Sequence, residues 1–142
     1  MRVWGIGANW GDEPLKDSFV LNDCLTVGWS KEVAPDLYAM LEEIQVNDIV
    51  YIKSFVPKNR IVNVYAVGVV SKPLDINNQK NSDVIVEWFA DLTKQPIQIS
   101  LNDVGGKNNV YSNTLYKEYN ENIQNKIFEK IRERLLWDRN YQ

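Results

Sequence analysis

The chain has 142 residues, of which 44% are apolar and 25% charged, the composition of one globular domain rather than of a disordered segment. No stretch approaches the roughly 18 consecutive apolar residues of a membrane helix, and the opening Met1-Arg2-Val3-Trp4-Gly5 lacks the apolar core of a signal peptide. A net charge of −3 argues against tight nonspecific binding to duplex nucleic acid, and the complete absence of histidine removes His-based triads and nearly all zinc sites.

Residues 2–8 read as a first strand, with Val3, Trp4 and Ile6 interleaved with Gly5 and Gly7; glycines there mark a bulge or a close backbone approach. Residues 9–14, Asn-Trp-Gly-Asp-Glu-Pro, have the chemistry of a loop, and residues 25–29 read as a second strand ending on Trp29. Pro35 suits the first position of a helix, and Leu37, Met40, Leu41 and Ile44 keep one face apolar until about residue 45. Strands follow at 49–55 and, after a Pro57-Lys58-Asn59 hairpin, at 60–71, where β-branched residues dominate and Gly68 permits a bend. A polar loop leads to a strand at 84–89, and alternation of Ile97, Ile99 and Leu101 with Gln98 and Ser100 marks a half-buried strand. Thr114 is positioned to cap a long final helix whose stripe Leu115, Tyr119, Ile123, Ile127, Ile131 and Leu135 recurs every four residues. Strands in succession favour antiparallel pairing. The expected fold is therefore a single α+β domain over residues 1–142: a strongly curved antiparallel sheet of about six strands, with a short helix after the second strand and a long C-terminal helix.

Catalytic chemistry is poorly supplied. Glu42 and Glu43 are neighbours on a helix and cannot face each other, Asp12 and Glu13 sit in a loop without a third partner, and no acidic cluster has metal-ligand spacing. Cys24, the only cysteine, points to a reducing, cytoplasmic compartment and reads as a small buried hydrophobe. The residues favour a binding module over an enzyme, with no cofactor and no metal. Residues 1–48 carry three cations and nine anions, whereas 49–72 carry Lys53, Lys58, Arg60 and Lys72 without an acid, a basic island that is either a solvated hairpin or an anion-facing surface. Trp10 and Trp29, in a loop and at a strand end, could sandwich a flat ring; Asn9 could meet its edge, and Lys53 a phosphate. Trp4 and Trp88, inside strands, read as core.

The block formed by the helix over 36–44 and Val46-Asn47-Asp48-Ile49-Val50-Tyr51-Ile52-Lys53-Ser54-Phe55 resembles the PUA-like superfamily, particularly its EVE-type members, in which a helix and Gly-Asp precede a strand ending in a polar residue. Asn47 stands where that family usually carries glycine. Val64-Tyr65-Ala66-Val67-Gly68-Val69-Val70 is similar to a second strand of the family, and residues 84–88 and 95–101 resemble its closing strands, so that the resemblance spans residues 1–104. It implies a pseudobarrel with a pocket between the first strand's loop and the end of the 49–55 strand. In EVE and related YTH domains that pocket takes a modified base, and the matching positions here are Asn9, Trp10, Trp29, Lys53, Ser54 and Phe55. The expected partner is a nucleic-acid base, modified or not, in a short single strand, with no membrane. Two alternatives stay open: a free nucleotide or other small molecule in the same pocket, or a protein partner on the last helix through Tyr116, Phe128, Trp137 and Tyr141.

Overall fold

A computed structural model describes residues 2–7, 9–10, 13–14, 16–25, 32, 34–75, 84–111 and 114–141, the side chains of 9–10, 13–14, 16 and 137–141 excepted. Its elements are β1 (Val3–Gly7), β2 (Asn9–Trp10), β3 (Glu13–Pro14), α1 (Lys16–Leu21), β4 (Cys24–Leu25), α2 (Pro35–Glu43), β5 (Ile49–Val56), β6 (Ile61–Lys72), β7 (Val84–Asp91), β8 (Ile97–Ser100), β9 (Leu115–Lys117) and α3 (Glu121–Tyr141). Among the described residues seven strands form one curled sheet in the order β4-β7-β6-β5-β1-β9, with β8 on β6, while β2 and β3 form a separate two-residue ribbon. The expected α+β architecture with a curved sheet and a long C-terminal helix is the one observed.

The sheet is mixed rather than wholly antiparallel. β1 lies parallel to β5, from Val3 opposite Ile49 to Gly7 opposite Lys53. A hairpin cannot join parallel strands; the long segment between these two, which holds α1 and α2, makes the crossover. The curl has local causes. The β5–β6 register shifts between Ile52 and Lys53, where β6 supplies Tyr65 as an additional residue, and the β6–β7 register shifts at Gly68 and again before Lys72. A Cβ on Gly68 would lie 2.8 Å from the Glu87 carbonyl oxygen, so the bend needs glycine there.

Both faces of the sheet are covered. On one, Tyr51, Val62, Val64, Val67, Ile97 and Ile99 pack against Ile123, Ile127 and Ile131 of α3. On the other, Trp4, Ile6, Val50, Ile52 and Val86 pack against Phe19 of α1, Leu41 of α2 and Ile44 at the end of α2. A central strand walled on both sides has no solvent face, so β5 is buried without interruption from Ile49 to Lys53. Pro35 occupies the start of α2 as its fixed φ predicts. Asn47 adopts φ 73°, the left-handed conformation that glycine and asparagine tolerate best, and brings Asp48 to a buried position where its carboxylate accepts from the Trp4 indole (3.0 Å) and from the backbone of Arg2 and Gln45. Trp4 is fully buried and Trp88 half-buried, its indole donating to the Phe19 carbonyl.

The final helix starts later than periodicity predicts. Leu115 begins β9, an edge strand paired with β1, and Thr114 accepts a bond from Gly7 rather than capping a helix. The cap is Asn120, whose side chain accepts from Ile123 N–H at 3.1 Å. Consequently Tyr119 is exposed, as is Leu135, whereas Ile123, Ile127 and Ile131 hold the buried stripe.

Candidate functional site

Because β1 and β5 run parallel, both finish at the same end of the sheet, and the chain leaves Gly7 beside Lys53 to form the Asn9–Trp10 ribbon strand. Alternation along β5 then divides the predicted residues. Tyr51, Lys53 and Phe55 face the α3 side, whereas Ser54 faces the α1–α2 side, where its hydroxyl is 2.8 Å from the Tyr65 hydroxyl and takes a long contact from Asn63 Nδ2 at 3.5 Å. Lys53 and Phe55 are thus brought together and Ser54 is separated from them. The strand positions of Asn9 and Trp10 are at this end; their side chains, and all of Trp29, lie outside the described residues, as do Asp12 and the side chains of Trp137 and Tyr141.

Lys53 is 2% exposed. Its ammonium donates to the Val110 carbonyl at 2.5 Å and lies 5.3 Å from the centre of the Tyr116 ring. Burial pulls its pKa down to about 8, against the attraction of Glu118, which raises it. Glu118 is itself buried, and loss of water raises its carboxyl above the usual range although bonds from Tyr51 and Asn120 and the nearby Lys53 oppose the shift. The Tyr51 hydroxyl donates to Glu118 Oε1 at 2.7 Å, which leaves it to accept from the Tyr116 hydroxyl at 2.8 Å. Burial raises both phenols well above their ordinary pKa, so both are neutral at physiological pH. Gly5, opposite Tyr116 on β1, makes room for this ring: a Cβ there would overlap it.

The network continues to α3. Asn120 N–H donates to Glu118 Oε2 at 3.3 Å, and the Asn120 amide donates to the carbonyls of Gly105 and Lys107 at 2.9 and 3.0 Å. One polar chain therefore runs from Lys53 past the tyrosine pair and Glu118 to the helix cap and the 105–107 loop, and every buried side-chain polar atom among the described residues has a partner. Above Lys53, Phe55 packs edge-on against Tyr111 with ring centres 4.7 Å apart, and Arg60 reaches the Tyr111 hydroxyl at 3.5 Å.

Of the six residues the sequence points to, Lys53 and Phe55 meet here; Tyr51, Tyr111 and Glu118 are not among the six, and Tyr116, which the sequence places on the last helix as part of an alternative protein interface, lies instead in β9 beside them. The run Asn120-Glu121 before Ile123 carried the usable signal, a capping residue followed by an acid in the first turn. Among the described residues no group of histidine, cysteine or acidic side chains could hold a metal ion, and no helix is long and apolar enough to cross a membrane. Compared with known proteins, the chain matches no family model and no curated protein.

Proposed function

We propose that this chain is a PUA-like binding module of the EVE type that holds a nucleic-acid base, modified or unmodified, at the end of the sheet where β1 and β5 finish. One observation carries this reading: the parallel register that sets Gly7 opposite Lys53, so that the segment bearing Asn9 and Trp10 leaves the sheet beside Lys53 and Phe55. Crevices at the carboxyl ends of parallel strands are where open sheets bind ligands, because neighbouring chain segments diverge there. In this reading Trp10 and Trp29 stack on the ring and Asn9 meets its edge. Lys53, lying under Val110, acts through the floor of the site as a positive field in a poorly screened interior rather than as an exposed donor. Ser54, engaged with Tyr65, supports the wall. With a single cysteine, Cys24, the sequence has no internal disulfide to form, which fits a reducing compartment, and we assign the module to the cytoplasm on that ground.

The test is a fluorescence titration of the wild type and of Trp10→Phe and Trp29→Phe variants with mononucleotides and with short oligonucleotides carrying modified and unmodified bases, at low salt. Stacking predicts quenching that is lost or much reduced in the variants, since each base stacked on an aromatic contributes on the order of 1–3 kcal/mol. Absence of quenching by every ligand defeats the reading.

A further inference from the structure

We propose that the surface carrying Tyr111 and Tyr119 is a track for single-stranded nucleic acid, receiving the nucleotides that flank the bound base. This rests on the base-binding reading and extends it to a partner: a single strand rather than a free nucleotide. Tyr111 and Tyr119 are 58% and 69% exposed, and both line one open groove of about 420 Å³ at the outer edge of β9, together with Lys117, Asn108 and Asn109. Singly exposed aromatic residues are common, but two rings in one concavity offer consecutive stacking platforms.

Each of the two rings has a cation beside it. The Lys117 ammonium is 5.9 Å from the Tyr119 ring, and Arg60 donates to the Tyr111 hydroxyl. Tyr111 also packs on Phe55, which joins the groove to the end of β5. Lys58 and Arg60 are exposed on the β5–β6 turn, so part of the basic island lies along this path. The nearest acid is Glu43, 3.2 Å from Lys117; both groups reach solvent, and an exposed pair of this kind is weak enough for a phosphate to displace. The Asn109 amide bonds the Lys117 carbonyl, so one backbone acceptor on the edge of β9 is already taken.

Few cations imply few phosphate contacts. Two of them, Arg60 and Lys117, predict that log K falls with log salt with a slope of about −1.4 for a single strand. The experiment measures anisotropy of a labelled eight-residue deoxythymidine oligonucleotide across a salt series, beside fluorescence titration with thymidine monophosphate. The expected results are tighter binding of the oligonucleotide than of the mononucleotide, a loss of about tenfold in oligonucleotide affinity for Tyr111→Ala and for Tyr119→Ala, with mononucleotide affinity unchanged in Tyr119→Ala, and a slope roughly halved by Arg60→Gln or Lys117→Gln. Tyr111→Phe, which keeps the ring, retains most of the affinity and separates stacking from loss of fold. An oligonucleotide that binds no tighter than the mononucleotide, or binds with no dependence on either tyrosine, overturns the track while leaving the base site standing. Oligonucleotide binding that depends on the tyrosines without any mononucleotide binding supports the track and counts against the base site.

Discussion

Lys53 shows how much a single position depends on the layer around it. An ammonium buried at 2% exposure loses most of its hydration, and its surroundings, among them the Val110 carbonyl, the Tyr116 ring face and the field of Glu118, leave the desolvation dominant. The consequence is a proton affinity that differs between folded and unfolded chains. The unfolded lysine keeps its proton to about 10.5 and the folded one to about 8, so between these values the unfolded state binds more protons. Stability contributed by this residue therefore rises as pH increases through that window and is lowest below it. Lys53→Met lacks the effect. Measured by urea unfolding, the stability of the wild type relative to Lys53→Met should increase by roughly 1–2 kcal/mol from pH 7.5 to 9.5. A difference that stays constant with pH would mean that Lys53 titrates normally and is hydrated. The phenols of Tyr51 and Tyr116 keep their protons in the folded state throughout this range, and the small term they add as the unfolded tyrosines begin to ionise is common to both proteins and cancels in the difference.

At the level of elements, strong patterns in the sequence match the structure and weak ones do not. The Ile97–Ile99 alternation of β8, the β-branched run of β6 and the proline-opened α2 are all found where the residues imply. β9 was concealed by arithmetic: Leu115 and Tyr119 lie in step with the α3 stripe, yet Leu115-Tyr116-Lys117 completes the sheet against β1, and pairing outweighs helical spacing over so short a run. The strand can end and the helix begin within a few residues because Asn120 serves both, capping α3 through its oxygen and tying down the 105–107 loop through its amide. Asn120→Ala removes the cap and orphans two loop carbonyls, and is expected to destabilise by about 2–4 kcal/mol in chemical unfolding. Asn120→Ser keeps a capping oxygen and loses the amide donors without adding a buried charge, so its cost should be smaller. Equal costs for the two variants would show that the loop bonds, not the cap, anchor the helix.

For the whole molecule, the deciding feature is one sheet with a core on each face, and it governs what could be read of the site. Neighbours along β5 belong to different cores, Tyr51 with α3 and Ile52 with α2, so a list of candidate side chains in sequence, Lys53-Ser54-Phe55, becomes two sites on opposite faces. The basic island divides in the same way, with Lys53 inside and Lys58, Arg60 and Lys72 outside. Which face a side chain takes depends on the β5–β6 bulge and on the parallel pairing with β1, both of which arise from contacts between residues far apart in the chain. The same arrangement makes a prediction about stability. Leu41 is buried on the α2 face and Ile127 on the α3 face, and each leans on the shared strands β5 and β6 rather than on the other. Truncation of either to alanine should cost about 2–5 kcal/mol. If the sheet couples the cores, Leu41→Ala and Ile127→Ala each shift one urea transition in which the indole N–H nuclear magnetic resonance signal of Trp4, on the α2 face, and far-ultraviolet dichroism, weighted toward α3, still coincide. Separation of the two probes in Ile127→Ala, with dichroism lost first, would mean that α3 can leave the sheet while the Trp4 core holds. The tyrosine–Glu118 network would then open to water independently of the rest of the fold.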